Sequence, residues 1–277
     1  MIPRNLYDSD HDMFRDSVRK FIEVEAMPHH DQWEKDGMVS DEVWLKAGEQ
    51  GFLGLPVPEE FGGVNVDFRY NCILNEEIAR SGCTGLGWTL HNDISVPYIV
   101  RYGSDFQKKK YLPRCASGEL ITAIAMTEPA AGSDLQGTKT TAVLDGDRYI
   151  LNGSKTFITN GQKAGLVIVV AKTDTTAGSK GISLLLVEAD LPGFTKGKNL
   201  QKLGMKAQDT SELFFQDVRV PRENLLGEEG RGFVYLMQDL PQERLSIAVG
   251  AVANAQAILD ATVDYTKDRK AFGTTVA

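Results

Sequence analysis

Apolar and polar positions change their spacing twice along the chain. From residue 1 to about 120 the apolar positions recur every three or four residues. Phe14, Val18 and Phe21 follow the cap-like Asp8-Ser9-Asp10, and Glu25 continues the spacing. That period predicts a surface helix with one buried stripe. The same reading places helices at 40–49, 69–81, 92–102 and 105–116, with Pro56, Pro58, Gly62 and Gly63 punctuating a loop.

At about residue 120 the period shortens. Leu166-Val167-Ile168-Val169-Val170 and Ile182-Ser183-Leu184-Leu185-Leu186-Val187 are short apolar runs bounded by glycines, as buried strands are. Asn152-Gly153, after Tyr149 to Leu151, reads as a hairpin turn, and the run from Leu213 to Val220 stops at Pro221. About seven strands with no long helix between them predict an antiparallel or barrel-like sheet.

Beyond Pro221 the helical period returns through Leu245, Val249, Val252, Leu259 and Val263, and no charge falls between Leu245 and Leu259. A helix apolar on every face calls for burial on every side. The pattern therefore predicts an α+β multidomain protein: an N-terminal helical bundle at 1–120, a middle antiparallel β-barrel at 121–222, and the start of a C-terminal helical bundle at 223–277.

Composition removes several function classes. The 277 residues hold 30 Lys and Arg against 38 Asp and Glu, a net charge of −8, which disfavours nucleic acid as a partner. With 42% hydrophobic and 25% charged residues the chain can bury a core. Cys72, Cys83 and Cys115 form no metal or disulfide pattern, and the N-terminus has neither an apolar nor an Arg-rich targeting character, so a cytoplasmic location is expected. The uncharged stretch is shorter than the roughly 20 residues a membrane span needs. His11, His29, His30 and His91 lack ligand spacing, so no metal site is expected.

Candidate chemistry lies in three places. Met126-Thr127-Glu128-Pro129-Ala130-Ala131-Gly132-Ser133-Asp134 is a small-residue loop after a strand, offering backbone N–H groups beside two hydroxyls. Phe157 and Thr159, two apart on one strand face, suit a stacked ring. Glu243, at the start of the apolar helix in Leu240-Pro241-Gln242-Glu243-Arg244-Leu245, reads as a cap carboxylate or, if desolvated, as a proton abstractor.

Four ordered motifs together resemble the acyl-CoA dehydrogenases: Ala125 to Pro129 with Gly132-Ser133-Asp134; Asn152 to Lys155 with Phe157 to Gly161; Gly204 to Ala207 with Asp209-Thr210; and Arg269 to Gly273. Pro58 to Gly63 extends the match into the helical block, and Gln242 to Leu245 with Lys206 to Phe215 is most similar to the long-chain branch. The resemblance implies FAD between barrel and bundle. Ile124, Ala125, Met126, Thr127, Gly132 and Ser133 would run along it, Phe157, Ile158 and Thr159 would cover its ring, and Arg269 and Phe272 would reach the FAD of a neighbouring subunit.

It further implies acyl-CoA contacts from Ser133, Pro241, Gln242 and Arg244, with Glu243 as catalytic base in an α,β-dehydrogenation to a trans-2-enoyl thioester. The enolate oxygen would be met by a flavin ribityl hydroxyl and the backbone N–H of the base. Electrons would pass to electron-transfer flavoprotein, and a homodimer or homotetramer is expected. Against the family pattern, Ala130 stands where glycine is usual and Phe157 where tryptophan is frequent. The chain ends just past the first bundle helix, so the remaining helices are expected to be missing. Two other readings remain open: an inactive scaffold or interaction fragment, and a flavin monooxygenase of the same superfamily.

Overall fold

The computed structural model describes residues 5–277. Its first block is helical, as the period predicts. Helix α1 (Ser9–Glu25) starts at Asp8, whose carboxylate accepts from the N–H groups of Asp10 and His11, and it buries Val18 and Ile22. Helices α3 (Asp41–Glu49), α4 (Phe68–Ser81) and α6 (Asp105–Ala116) begin at the side-chain caps Ser40, Asp67 and Ser104. Between α1 and α3 lies α2 (Met27–Asp36), which the sequence reading did not anticipate. Trp33 is its single buried residue, so it carries no apolar stripe to detect.

The helix expected at 92–102 is two elements. A π-helical turn, Leu90–Ser95, runs into α5 (Val96–Tyr102). Such turns widen a helix locally and re-aim its side chains.

The middle block is one sheet of eight strands: β1 (Thr122–Ala125), β2 (Thr141–Asp145), β3 (Arg148–Thr159), β4 (Leu166–Lys172), β5 (Ile182–Glu188), β6 (Phe194–Asn199), β7 (Thr210–Pro221) and β8 (Leu225–Leu226). Pairing runs β6-β7-β3-β2-β4-β5-β8, with β1 added on β4. The sheet is mainly antiparallel, as expected, with β1 and β2 pairing β4 in parallel. Val167 and Leu185 share one core with Phe194 and Phe215 from the other end of the strand order, so the sheet curls into a barrel-like layer. The opposite faces of β4 and β5, with Ile168, Val170, Leu184 and Leu186, pack on Tyr98, Tyr111 and Leu112 of the helical block. Burial on both faces explains why these strands read as unbroken apolar runs.

Asn152-Gly153 is not a hairpin turn. It lies inside β3, where the register against β7 slips between Leu151 and Gly153. Asn152 exchanges two hydrogen bonds with Asp217 of β7, donating to Oδ1 at 3.0 Å and accepting from the N–H at 2.8 Å. An Asn-Gly pair serves a β-bulge as readily as a turn, because both need backbone freedom; the hairpin itself turns at Gly146, which has a left-handed φ of 62°.

The last block is α7 (Gly232–Asp268), 37 residues and about 55 Å long. It begins well before Pro241, so Glu243 sits eleven residues past Gly232 and not at a helix start. Pro241 is tolerated inside the helix, and the cap reading of Glu243 is set aside. By length and composition α7 is long and apolar enough to cross a membrane. Its first half nevertheless buries Tyr235, Leu236, Asp239, Glu243 and Ser246 in protein, as a bundle helix does. From Leu245 onward the apolar residues are largely exposed, Ile247 at 64% and Ile258 at 67%. A hairpin, β9 (Lys270–Ala271) and β10 (Thr274–Thr275), follows.

Candidate active site

The loop after β1 is built on a buried ion pair. Lys155 of β3, fully enclosed, donates from Nζ to Glu128 Oε1 at 2.8 Å and to the Met126 carbonyl at 3.1 Å. Glu128 also accepts from the Lys139 N–H at 2.6 Å and the Thr140 N–H at 3.1 Å. Burial alone would raise its pKa, but Lys155 and these donors together hold it below the ordinary carboxylate range. Lys155 gives up more hydration than one carboxylate returns, so burial pushes its ammonium down to about 8. The pair closes the stretch 126–140 on itself and leaves the N–H groups of Gly132 and Ser133 without a protein acceptor among the described residues.

Beside this loop stands Phe157. The Thr156 N–H donates to the Thr127 carbonyl at 2.9 Å, which fastens β3 to the loop. A second register slip against β7, between Lys155 and Ile158, turns the strand there. Phe157 adopts a left-handed φ of 59° and is 67% exposed, while Ile158 is buried and Thr159 half-buried. A large aromatic held outward on a strained backbone is a platform for something flat. Ile124 and Ala125 are buried in β1, Met126 and Thr127 half-buried at its end, and Gly132 and Ser133 exposed; a Cβ added at Gly132 would meet nothing within 4 Å. The predicted ring-side residues therefore form one open cradle.

Glu243 lies on α7 against α5. It is 8% exposed, and its Oε1 accepts from the Tyr98 hydroxyl at 2.8 Å. Burial raises its pKa above the usual carboxylate value, against the opposing pull of the Tyr98 hydrogen bond and of Arg244. Tyr98 shares an apolar cluster with Ile124 and Leu236, and Met126 and Leu240 pack on its margin, so one cluster spans from the carboxylate to the loop. Glu243's own N–H lies inside α7, where a helix offers it a carbonyl one turn earlier.

Of the other predicted residues, Pro241 and Arg244 are exposed beside Glu243. Gln242 accepts from Arg101 at 2.7 Å and donates to the Asp93 carbonyl at 3.1 Å. Arg269 and Phe272 are exposed on the terminal hairpin, separated from Glu243 by most of α7, roughly 40 Å of helix. They do not join this cluster. Sequence reasoning missed Tyr98, Lys155 as the partner of Glu128, and Asp93. Asp93 is fully buried and accepts from Asn71 at 2.6 Å and Asn75 at 2.8 Å, with Ser246 of α7 also on its carboxylate. Tyr98 carries no local signal, since its partner is 145 positions away.

A groove of about 690 Å³ lies between α4 and the exposed part of α7, lined by Arg15, Cys72, Val249 and Val252 among others; neither Glu243 nor the loop lines it.

A helical domain, a curled sheet and a long helix, with a buried carboxylate held between α5 and α7 and an exposed aromatic on β3 next to a small-residue loop, define a multidomain α+β protein whose candidate residues come from all three blocks. The acyl-CoA dehydrogenase N-terminal domain model matches residues 8–119, the middle domain model 123–218 and the C-terminal domain model 230–277. The chain is 56% identical over 276 residues to the mitochondrial long-chain specific acyl-CoA dehydrogenase of Sus scrofa, covering 99% of this chain and 64% of that protein. The crystal structure of acyl-CoA dehydrogenase from Geobacillus kaustophilus superposes with a TM-score of 0.97 at 54% identity, over 99% of this chain and 73% of that one. An acyl-CoA dehydrogenase complexed with FAD from Bacillus anthracis gives 0.91 at 35%, over 98% of this chain and 46% of that one. The chain belongs to the acyl-CoA dehydrogenase family, whose members are oxidoreductases acting on CH–CH donors.

Proposed function

We propose that this chain carries the proton-abstracting half of an FAD-dependent α,β-dehydrogenation of acyl-CoA, giving a trans-2-enoyl-CoA, with Glu243 as the base. The observation that carries it is a buried carboxylate anchored by Tyr98 on the apolar cluster that also holds Ile124 and Met126. A carboxylate whose pKa is raised by burial is matched to removing a weakly acidic proton near neutral pH. The cradle fits a flavin: Phe157 offers an exposed ring, Gly132 leaves open space, and Gly132 and Ser133 offer unclaimed donors. Ile124, Ala125, Met126, Thr127, Ile158 and Thr159 would complete its hold, with Arg269 and Phe272 supplied by a second copy. When bound, FAD supplies the two-electron acceptor for the β-hydrogen.

Ser133, Pro241, Gln242 and Arg244 would position the thioester. Long acyl chains are favoured as substrates by the likeness to the Sus scrofa protein, and electron-transfer flavoprotein as the oxidant of the reduced enzyme by family membership. The 277-residue chain loaded with FAD is expected to bleach on anaerobic addition of a long-chain acyl-CoA. Glu243→Gln should keep its flavin and lose the bleaching rate by about 10²–10⁴-fold, as removal of a general base does. Bleaching at an undiminished rate would move the base elsewhere.

A further inference from the structure

We infer that Tyr98, with Arg101 and Tyr102 beside it on α5, is a positioning residue that holds the Glu243 carboxylate for proton transfer. The inference rests on Glu243 being the base. Positions 98, 101 and 102 lie on one face of α5, and they meet positions 238, 239, 242 and 243, which share one face of α7. The Tyr102 hydroxyl donates to Gln238 Oε1 at 3.2 Å, Arg101 pairs with Asp239 and donates to Gln242 Oε1 at 2.7 Å, and Tyr98 donates to Glu243 Oε1 at 2.8 Å.

Asp93 of the π-helical turn receives Ser246, one turn past Glu243, on its carboxylate and Gln242, the residue before Glu243, on its carbonyl. The stretch of α7 that carries the carboxylate is thus fastened on both sides of it, to α5 and to the π-helical turn, and the carboxylate itself to Tyr98. Such a clamp is needed because Pro241 has removed one rung of the helix ladder just before it.

The grip leaves the chemistry free. Tyr98 is fully buried, and burial beside Glu243 keeps its phenol protonated, so it remains a donor. It occupies Oε1 alone. Oε2 meets no donor among the described residues and is not sealed from solvent, so it is the oxygen open to an incoming proton. In the transfer, the substrate's α-C–H bond breaks, an O–H bond forms at Oε2, and the electron pair stays on the thioester; Tyr98 keeps its own proton throughout. The groups acting on Glu243 are Tyr98 from α5 and Arg244 from α7; behind them, Arg101 and Tyr102 of α5 act on Tyr98, Asp239 of α7 pairs with Arg101, and Asp93 of the π-helical turn meets Gln242 and Ser246.

Tyr98→Phe removes the hydroxyl and keeps the ring, so it tests position and not packing. Two readouts apply to the FAD-loaded chain. In ¹³C-carboxyl NMR of labelled glutamate, with Glu243 assigned from Glu243→Gln, the variant's titration midpoint should rise by about one pH unit, the size of a lost hydrogen bond to a charged group. In single-turnover bleaching, the acid limb of the pH profile should move up by the same amount and the rate at neutral pH fall about tenfold, with the flavin spectrum unchanged. An unmoved midpoint and acid limb in Tyr98→Phe, while Glu243→Gln abolishes bleaching, overturns the role of Tyr98 alone. Bleaching that survives Glu243→Gln overturns the base assignment and the inference with it.

Discussion

At the scale of single residues, this protein encloses polar groups and then decides their charge by what surrounds them. Glu243 receives one hydrogen bond from a neutral phenol, so its desolvation is only partly offset. Glu128 receives a lysine and two backbone donors and stays ionised in comparable burial. His91 shows the opposite case. Its Nδ1 accepts from the Thr122 N–H at 3.2 Å and its Nε2 faces the Cys115 carbonyl at 3.1 Å, an arrangement that requires the neutral ring, and burial pushes its pKa down to about 4. The unfolded chain takes up this proton at about 6.5 while the folded chain refuses it until about 4. Stability held above about 6.5 is therefore lost as pH falls through that window, by about 3 kcal/mol. Urea unfolding at pH 7 and pH 4.5 should show a larger acid loss for the parent chain than for His91→Gln; equal losses would show that His91 does not contribute.

At the scale of elements, β3 does more than its alternating pattern announces. Its two register slips against β7 exist to turn side chains: one admits Asn152-Gly153, the other presents Phe157. Gly153 has a φ of 148°, and a Cβ there would stand 2.4 Å from Thr140 Oγ1 and 2.8 Å from Thr140 Cα. Backbone cannot move aside as a flexible side chain does. Gly153→Ala should therefore destabilise by about 2–3 kcal/mol and weaken flavin retention, because β3 carries both Lys155 and Phe157. Thermal unfolding with flavin absorbance measures both, and an unchanged melting temperature would argue against the close approach. Helix α7 teaches a related lesson. Pro241 resembles a start signal locally, yet Phe233, Leu236 and Leu240 before it pack on the apolar cluster and carry the helix through.

At the scale of the molecule, three buried cores organise the helical domain, the sheet and the seam between them, and α7 leaves that seam partway along its length. Leu245, Ile247, Val252, Ile258 and Leu259 are each more than half exposed on one helix. A continuous apolar surface of this kind associates in water. The 277-residue chain should sediment as a concentration-dependent mixture of species, and Ile258→Glu should shift it toward the monomer. Monomeric behaviour of both chains at all concentrations would show that the face does not drive association.

The sequence by itself determined the three blocks, the ends of most helices, the apolar runs of β4 and β5, and the loop and strand residues of the cradle. These rest on local spacing, on caps that bond within three residues, and on motifs of fixed order. Only the tertiary structure decided that Asn152-Gly153 is a bulge, that Glu243 lies deep inside a helix, and that Tyr98 bonds it while Arg101 and Asp93 hold its neighbours on α7. A bulge is defined by a partner strand, and the anchoring of Glu243 by α5, 145 positions earlier in the chain. Such pairings depend on which surfaces meet once the cores close, and no local period records that.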